Sequence, residues 1–198
     1  MIAIVDYGAG NLTSVKKALD WLRQESVITS DPGTVAKAAK VVLPGVGHFA
    51  ATAVLETSGL RHAIAHSISR GIPFLGICVG MQWMFAGSEE SPDTPGLGLL
   101  PGVCERFPAQ VKSPHVGWNQ LEIAPSSTLF RGLPSSSFVY FTHSYRAPLT
   151  GTTTAGCEYG GRFSAAVERD RVFGVQFHPE KSGEVGLRLL GNFCELEC

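Results

Sequence analysis

The sequence predicts an α/β fold in which a mostly parallel central sheet is flanked by helices and extended by additional antiparallel strands in the C-terminal half. Three observations carry this prediction. Short apolar runs without alternation, such as Ile2-Ala3-Ile4-Val5, Val41-Val42-Leu43 and Phe74-Leu75-Gly76-Ile77, have the texture of strands covered on both faces. Segments with apolar residues at helical spacing lie between them. Beyond about residue 102 the strand-like runs follow one another across short turns instead.

Taken in order, Ile2–Val5 is a buried strand that enters the Gly-rich turn Tyr7-Gly8-Ala9-Gly10-Asn11. Val15, Ala18, Leu19 and Leu22 then recur at helical spacing and predict a helix over about 13–24. Strands are predicted near 26–29 and at 41–43, followed by a helix carrying Leu60, Ile64 and Ile68 that closes at Gly71, and by a strand at 74–77. A helix follows Cys78. Residues 88–102, rich in Ser, Pro, Gly and Glu, read as loop. Strands are expected at 120–123, 138–141, 165–168 and 172–177, and a helix over about 183–196 sets Val185, Leu189, Phe193 and Leu196 on one stripe. There is no internal repeat or low-complexity tract, so residues 1–198 are expected to form one domain.

A net charge of −1, with no basic cluster longer than Lys16-Lys17, leaves no electrostatic footprint for nucleic acid or anionic lipid. No run approaches the roughly 18 apolar residues of a membrane span. Met1 to Asp6 lacks the basic region and cleavage site of a signal peptide, and a cytoplasmic location is expected. The five cysteines, Cys78, Cys104, Cys157, Cys194 and Cys198, form no CxxC pair and no Cys/His spacing of a zinc site, so neither a metal nor a disulfide framework is expected. Cys194 and Cys198 stand four apart on the last predicted helix and read as small apolar filler.

In an open parallel sheet, ligands bind beyond the carboxyl ends of the strands. Three Gly-rich turns leave such ends: Gly8-Ala9-Gly10-Asn11, Pro44-Gly45-Val46-Gly47 and Gly76-Ile77-Cys78-Val79-Gly80. The first is a poor dinucleotide fingerprint, because Thr13 replaces the third glycine and no acidic residue follows at the expected distance. The third has the form of a nucleophile elbow, a sharp turn between strand and helix that needs small residues two positions either side of the reactive group. At the start of the following helix the positive end of the helix dipole favours a thiolate. The alternative is a buried small hydrophobe between two tightly packed glycines, and on Cys78 alone both readings stand.

A base is available. Val172 to Phe177 is an apolar strand running into His178-Pro179-Glu180, and Pro179 keeps His178 out of the helical region. Glu180 is near enough in sequence to orient the imidazole, which makes Cys78, His178 and Glu180 a nucleophile, base and orienter. The alternatives are a strand-end histidine capped by solvent and a helix-entry acid near Ser182. Pro44-Gly45-Val46-Gly47 has the form of an oxyanion strand, whose glycines let the backbone aim an N–H at a developing negative oxygen, or of a plain tight turn.

GxCxG with a distant His-x-Glu resembles the class I, triad-type glutamine amidotransferases. The fuller set of DYGAGN at 6–11, PGVGHF at 44–49, GICVGMQ at 76–82, HVGWN at 115–119, HSYR at 143–146 and QFHPEKS at 176–182 resembles, within them, the glutaminase subunits of imidazole glycerol phosphate synthase. These motifs span nearly the whole chain. The resemblance implies a glutaminase in which Cys78 attacks the side-chain amide of glutamine, His178 passes a proton to the departing ammonia and Glu180 orients His178. It implies an oxyanion hole from the Val46 and Val79 N–H groups, and a glutamine site made of Gly47, Gln82, Glu90, His143, Ser144 and Tyr145. Glu89 precedes Glu90, so the match there can slip by one. Asn11, Trp118, Tyr140 and Lys181 correspond to positions at or near the interface with a cyclase, although Trp118 and Tyr140 also suit a core and Lys181 a solvated surface.

By the same resemblance, no cofactor is needed. Ammonia passes in a heterodimer to a separate (β/α)8-barrel cyclase subunit that forms imidazole glycerol phosphate and an aminoimidazole carboxamide ribonucleotide in histidine biosynthesis. No fused cyclase is expected in this chain. The rival readings are a glutaminase of another pathway such as pyridoxal phosphate synthesis, which DYGAGN and PGVGHF argue against, a cysteine peptidase or esterase sharing the elbow, and a catalytically inactive binding subunit. In peptidase relatives His often follows the nucleophile, whereas residue 79 is Val, and an intact Cys78, His178 and Glu180 argue against an inactive subunit.

Overall fold

A computed structural model describes residues 1–197, so the expected Cys194–Cys198 pair lies partly outside the described residues. In chain order the elements are β1 (Ile2–Val5), α1 (Leu12–Trp21), β2 (Ser26–Thr29), α2 (Pro32–Lys37), β3 (Lys40–Gly45), α3 (Ala53–Thr57), α4 (Leu60–Ser69), β4 (Phe74–Cys78) and α5 (Val79–Gln82). They continue with β5 (Gly87–Ser88), β6 (Val103–Arg106), β7 (His115–Gln120), β8 (Glu122–Ile123), β9 (Phe138–His143), β10 (Tyr145–Arg146), β11 (Thr153–Glu158), β12 (Arg162–Arg169), β13 (Val172–Val175) and α6 (Gly183–Cys194). Short 3-10 turns occupy Phe49–Thr52 and Pro179–Lys181.

The main sheet has the order β2-β1-β3-β4-β13-β12-β11-β8. Its first five strands pair in parallel, and β12, β11 and β8 add on antiparallel. The predicted α/β architecture is therefore the observed one. β1, β3, β4 and β13 are buried at every residue, as strands covered on both faces must be. Helices supply that cover with apolar stripes: Val15, Ala18 and Leu19 of α1, Leu60, Ala63 and Ile64 of α4, Leu189, Leu190 and Phe193 of α6. No helix among the described residues is long and apolar enough to cross a membrane.

Three details differ from expectation. The helix after Cys78 is only Val79–Gln82, so the helix-dipole contribution expected at the thiol comes from barely one turn. The strand expected at 120–123 is split: β7 ends at Gln120 and pairs with β9, while β8 joins the main sheet through β11. Buried Leu121 sits at the crossing. The short α2, α3 and β6 fall where no strong period announced them.

Candidate active site

β3, β4 and β13 lie side by side, and their carboxyl ends deliver the three turns that hold the chemistry. Gly45 pairs with Cys78 in register, so the PGVG turn and the elbow start from one rung of the sheet. Cys78 adopts φ 55° and ψ −110°, a left-handed φ that a residue with a side chain adopts only under strain. The flanking glycines make this bend feasible. A Cβ on Gly76 would lie 2.6 Å from the Gly80 carbonyl oxygen, and one on Gly80 would overlap the Leu43 carbonyl. The elbow reading of GxCxG is thus built into the backbone.

His178 leaves β13 in extended conformation, φ −100° and ψ 97°, as Pro179 requires. Its Nδ1 is 2.9 Å from Glu180 Oε1, and both side chains are only 1% exposed. Burial alone would depress the His178 pKa, but the neighbouring Cys78 sulfur and the hydrogen-bonded Glu180 carboxylate outweigh it and raise it to about 9. His178 Nε2 has no partner within normal hydrogen-bond limits. Its coupling to Cys78 therefore acts at longer range than a formed hydrogen bond. Such a pairing favours an imidazolium beside the sulfur.

Cys78 opens into a cavity of about 230 Å³ that Val46, Gly47, Val79, Gln82 and Glu90 line from one side and the Thr142 to Tyr145 segment from the other. Every residue expected to form the oxyanion hole or to hold glutamine lines this one cavity. A larger depression of about 530 Å³, along the edge formed by β8 and β11, contains none of them. The thiol, the strained turn and the buried His–Glu pair make the smaller cavity the candidate active site, because volume alone says nothing of chemistry.

The structure refines several of these positions. Glu90 faces the cavity and accepts from Phe49 N at 2.7 Å, which ties it to the chain just beyond PGVG, whereas Glu89 accepts from Arg106 N at 3.0 Å. Of the two glutamates, Glu90 is the one that lines the cavity. Gln82 donates from Nε2 to Tyr145 O at 2.8 Å and to Gln176 Oε1 at 3.0 Å. Both its amide hydrogens are spent within the protein, so only Oε1 is left to serve a ligand, as an acceptor. The ring nitrogens of His143 are likewise engaged, Nδ1 with Tyr145 O at 2.8 Å and Nε2 with His115 Nδ1 at 3.1 Å. His143 therefore shapes the wall by its ring and backbone and offers no free nitrogen.

Asn11, at the start of α1, donates from Nδ2 to Glu180 Oε1 at 3.3 Å. Trp118 is 56% exposed, so it is no core aromatic, and its ring meets Tyr140 edge-on at 6.2 Å. Lys181 Nζ lies 5.9 Å from the centre of the Tyr140 ring. These three side chains form one patch, to which Val116 and Phe138 add exposed apolar surface. Neither Val116 nor Phe138 was expected there, although their alternation with inward residues along β7 and β9 carries the signal.

Gln176 was also missed. Fully buried just beyond β13, it donates from Nε2 toward Cys78 Sγ at 3.6 Å. A buried amide in an otherwise apolar run is the available clue. The other described cysteines are inert by comparison: burial raises the thiol pKa of Cys104, of Cys157 to about 12 and of Cys194 to about 11.

Comparison with known proteins agrees with this geometry. Residues 3–195 match the family described as glutamine amidotransferase class-I. The imidazole glycerol phosphate synthase subunit HisH of Moorella thermoacetica is 50% identical over 98% of this chain and 94% of its own length. Its counterpart from Methanothermobacter thermautotrophicus is 46% identical, with 99% and 98% covered. A crystal structure of a glutamine amidotransferase superposes with a TM-score of 0.78 at 21% identity over 98% of both chains, a likeness of fold. The chain belongs to the class-I glutamine amidotransferases and, within them, to the HisH glutaminase subunits of imidazole glycerol phosphate synthase.

Proposed function

We propose that residues 1–198 form a single glutaminase domain whose reaction is carried out by Cys78, His178 and Glu180. The Cys78 sulfur attacks the side-chain carbonyl carbon of glutamine, and negative charge gathers on the carbonyl oxygen between the Val46 and Val79 N–H groups. The C–N bond breaks, His178 gives its proton to the departing nitrogen, and ammonia leaves a glutamyl thioester on Cys78. Water then attacks that thioester while His178 takes a proton. The C–S bond breaks, glutamate departs and the sulfur is regenerated. Glu180 keeps His178 in the tautomer whose Nε2 serves this transfer.

The single observation that carries this reading is that a strained cysteine, coupled to a buried His–Glu pair, opens into the same small cavity as Val46, Gly47, Gln82, Glu90, His143, Ser144 and Tyr145. About 230 Å³ lies below the roughly 300–1,000 Å³ of sites for drug-sized ligands and suits an amino acid. Two acceptors, Gln82 Oε1 and the Glu90 carboxylate, suit the ammonium and amide N–H groups of glutamine.

The ammonia goes to a cyclase subunit of (β/α)8-barrel form, which docks on the patch of Trp118, Tyr140 and Lys181 with Asn11 behind it. Exposed Val116 and Phe138 extend that patch, and an aromatic and apolar centre with a cation at its edge has the composition of a protein interface. The complex works in the cytoplasm. The first test is mass-spectrometric mapping after exposure to a glutamine-mimicking diazo-ketone, with and without the cyclase and its nucleotide. Labelling at Cys78 that excess glutamine prevents is the expected result, and it is faster with the cyclase present. No label at Cys78 under either condition would sink the mechanism.

A further inference from the structure

A second pair of titratable side chains starts at His143 in the cavity wall and runs back to His115, which lines no part of the cavity. His115 of β7 stands directly opposite His143 of β9, so both rings leave the same face of the two-stranded ribbon. His143 Nδ1 is 2.8 Å from Tyr145 O. A carbonyl only accepts, so that nitrogen carries the hydrogen. His115 Nδ1 is 3.1 Å from His143 Nε2, and Asn119 Nδ2 is 3.3 Å from His115 Nε2 and 3.1 Å from Glu158 O. The Glu158 carbonyl again only accepts, while Gln120 N–H donates to Asn119 Oδ1 at 2.8 Å, so the Asn119 amide has one possible orientation.

With both ends fixed by carbonyls, the hydrogens between them have one arrangement. Asn119 donates to His115 Nε2, His115 Nδ1–H donates to His143 Nε2, and His143 Nδ1–H donates to Tyr145 O. A proton added to either ring would set two donors face to face. Burial agrees, depressing the pKa of His115 to about 4 and of His143 to about 3. The rings are clamped by their neighbours, His115 stacking on Tyr159 at 4.0 Å and Phe141 at 4.8 Å, His143 tilting against Phe107 at 5.0 Å.

The chain continues into the reactive site. Tyr145 O also accepts from Gln82 Nε2 at 2.8 Å, Gln82 donates its other hydrogen to Gln176 Oε1 at 3.0 Å, and Gln176 donates toward Cys78 Sγ at 3.6 Å. The Tyr145 carbonyl is thus pinned from two sides, and its pinning decides which atom Gln82 shows the cavity. We propose that His115, which lies outside the cavity wall, is a positioning residue for glutamine, acting through His143 and the Tyr145 carbonyl to hold Gln82 with Oε1 toward the substrate. This rests on the glutaminase reading above and assigns to it a residue that touches neither substrate nor nucleophile.

The experiment measures glutamate release by the full chain assembled with its cyclase and nucleotide, and the ¹⁵N chemical shifts of the wild-type chain labelled at histidine. His115→Phe, which keeps the stacking and deletes the donor, is expected to raise KM for glutamine roughly tenfold, the scale of one hydrogen bond, with kcat much less affected. His115→Asn, whose Nδ2 sits where the ring Nδ1 was, is expected to restore KM, and His115→Gln is not. The spectra are expected to show both rings neutral and protonated at Nδ1, the tautomer less favoured in free histidine. A wild-type KM in His115→Phe, or an Nε2–H tautomer at either ring, would overturn the proposal; the spectrum needs no variant and decides even if His115→Phe fails to fold. A wild-type complex that releases no glutamate overturns the glutaminase reading and this role together, and is told apart because it fails before any substitution.

Discussion

Asn11 Nδ2 donates to Glu180 Oε1 at 3.3 Å, onto the same oxygen that lies 2.9 Å from His178 Nδ1. The proposed orienting carboxylate is therefore held from the N-cap of α1 as well as by its own histidine, while Glu180 Oε2 is buried without a partner. Asn11→Ala is expected to lower kcat of the assembled enzyme by roughly 3- to 10-fold, the scale of one lost hydrogen bond. Asn11→Asp is expected to cost more, because it places a carboxylate against a buried carboxylate. Glutamate release measured side by side checks the order, and an aspartate variant as active as alanine would contradict it.

The elbow predicts a stability defect that precedes any chemistry. Gly80→Ala drives its methyl into the Leu43 carbonyl, backbone of the neighbouring strand that cannot move aside as a side chain can. Overpacking of this kind costs about 1–3 kcal/mol, so the melting temperature is expected to fall by roughly 2–12 °C for a chain of this size. Cys78→Gly removes the Cβ that makes φ 55° costly and is expected to melt no lower than wild type while releasing no glutamate. Calorimetry on the three proteins separates the effects.

Stability should pass through a maximum near pH 6.5, the ordinary histidine value. His115 and His143 are depressed to about 4 and about 3, so the unfolded chain takes up their protons first, and stability is lost as pH falls from 6.5 toward 3. His178 is raised to about 9, so its contribution is complete below 6.5 and lost as pH rises through 9. Melting temperatures across that span are expected to fall at both ends. His115→Phe should flatten the acid limb and leave the alkaline limb in place; an unchanged acid limb would mean that His115 takes up its proton as readily folded as unfolded.

The patch around Trp118 offers a test of docking that leaves glutamine binding alone. Trp118→Ala is expected to weaken association with the cyclase by about 2 kcal/mol, roughly 30-fold in Kd, as for a central aromatic anchor. Lys181→Ala should weaken it less, since it removes one cation from the edge of the Tyr140 ring. Titration calorimetry measures both, and full-strength binding by Trp118→Ala would move the interface elsewhere.

Legibility in the sequence followed the range of the forces involved. The parallel core could be read because β1, β3 and β4 are uninterrupted apolar runs, and the elbow because its glycines are local to Cys78. α2 escaped notice because six residues with only Val35 buried carry no period. β11 escaped because its Thr-, Gly- and Ala-rich run pairs with β12 through register shifts. At the site, most residues that touch the cavity could be placed by motif, Pro114 and Thr142 excepted. Gln176 and His115 could not, since each acquires its role from a partner far along the chain, Cys78 at a separation of 98 residues and His143 at 28.

The ribbon of β7 and β9 is one layer thick, with Val116, Trp118, Phe138 and Tyr140 toward the outside and His115, Asn119, Phe141 and His143 toward the interior. Strand periodicity thereby sorts two vocabularies onto alternate letters of the same words. A protein engineer wishing to mate this glutaminase with a foreign ammonia acceptor could rewrite Val116, Trp118, Phe138 and Tyr140 and leave the inward residues untouched. Evolution has the same freedom, so the outer face can drift with its partner while the hydrogen-bond grammar beneath it stays fixed.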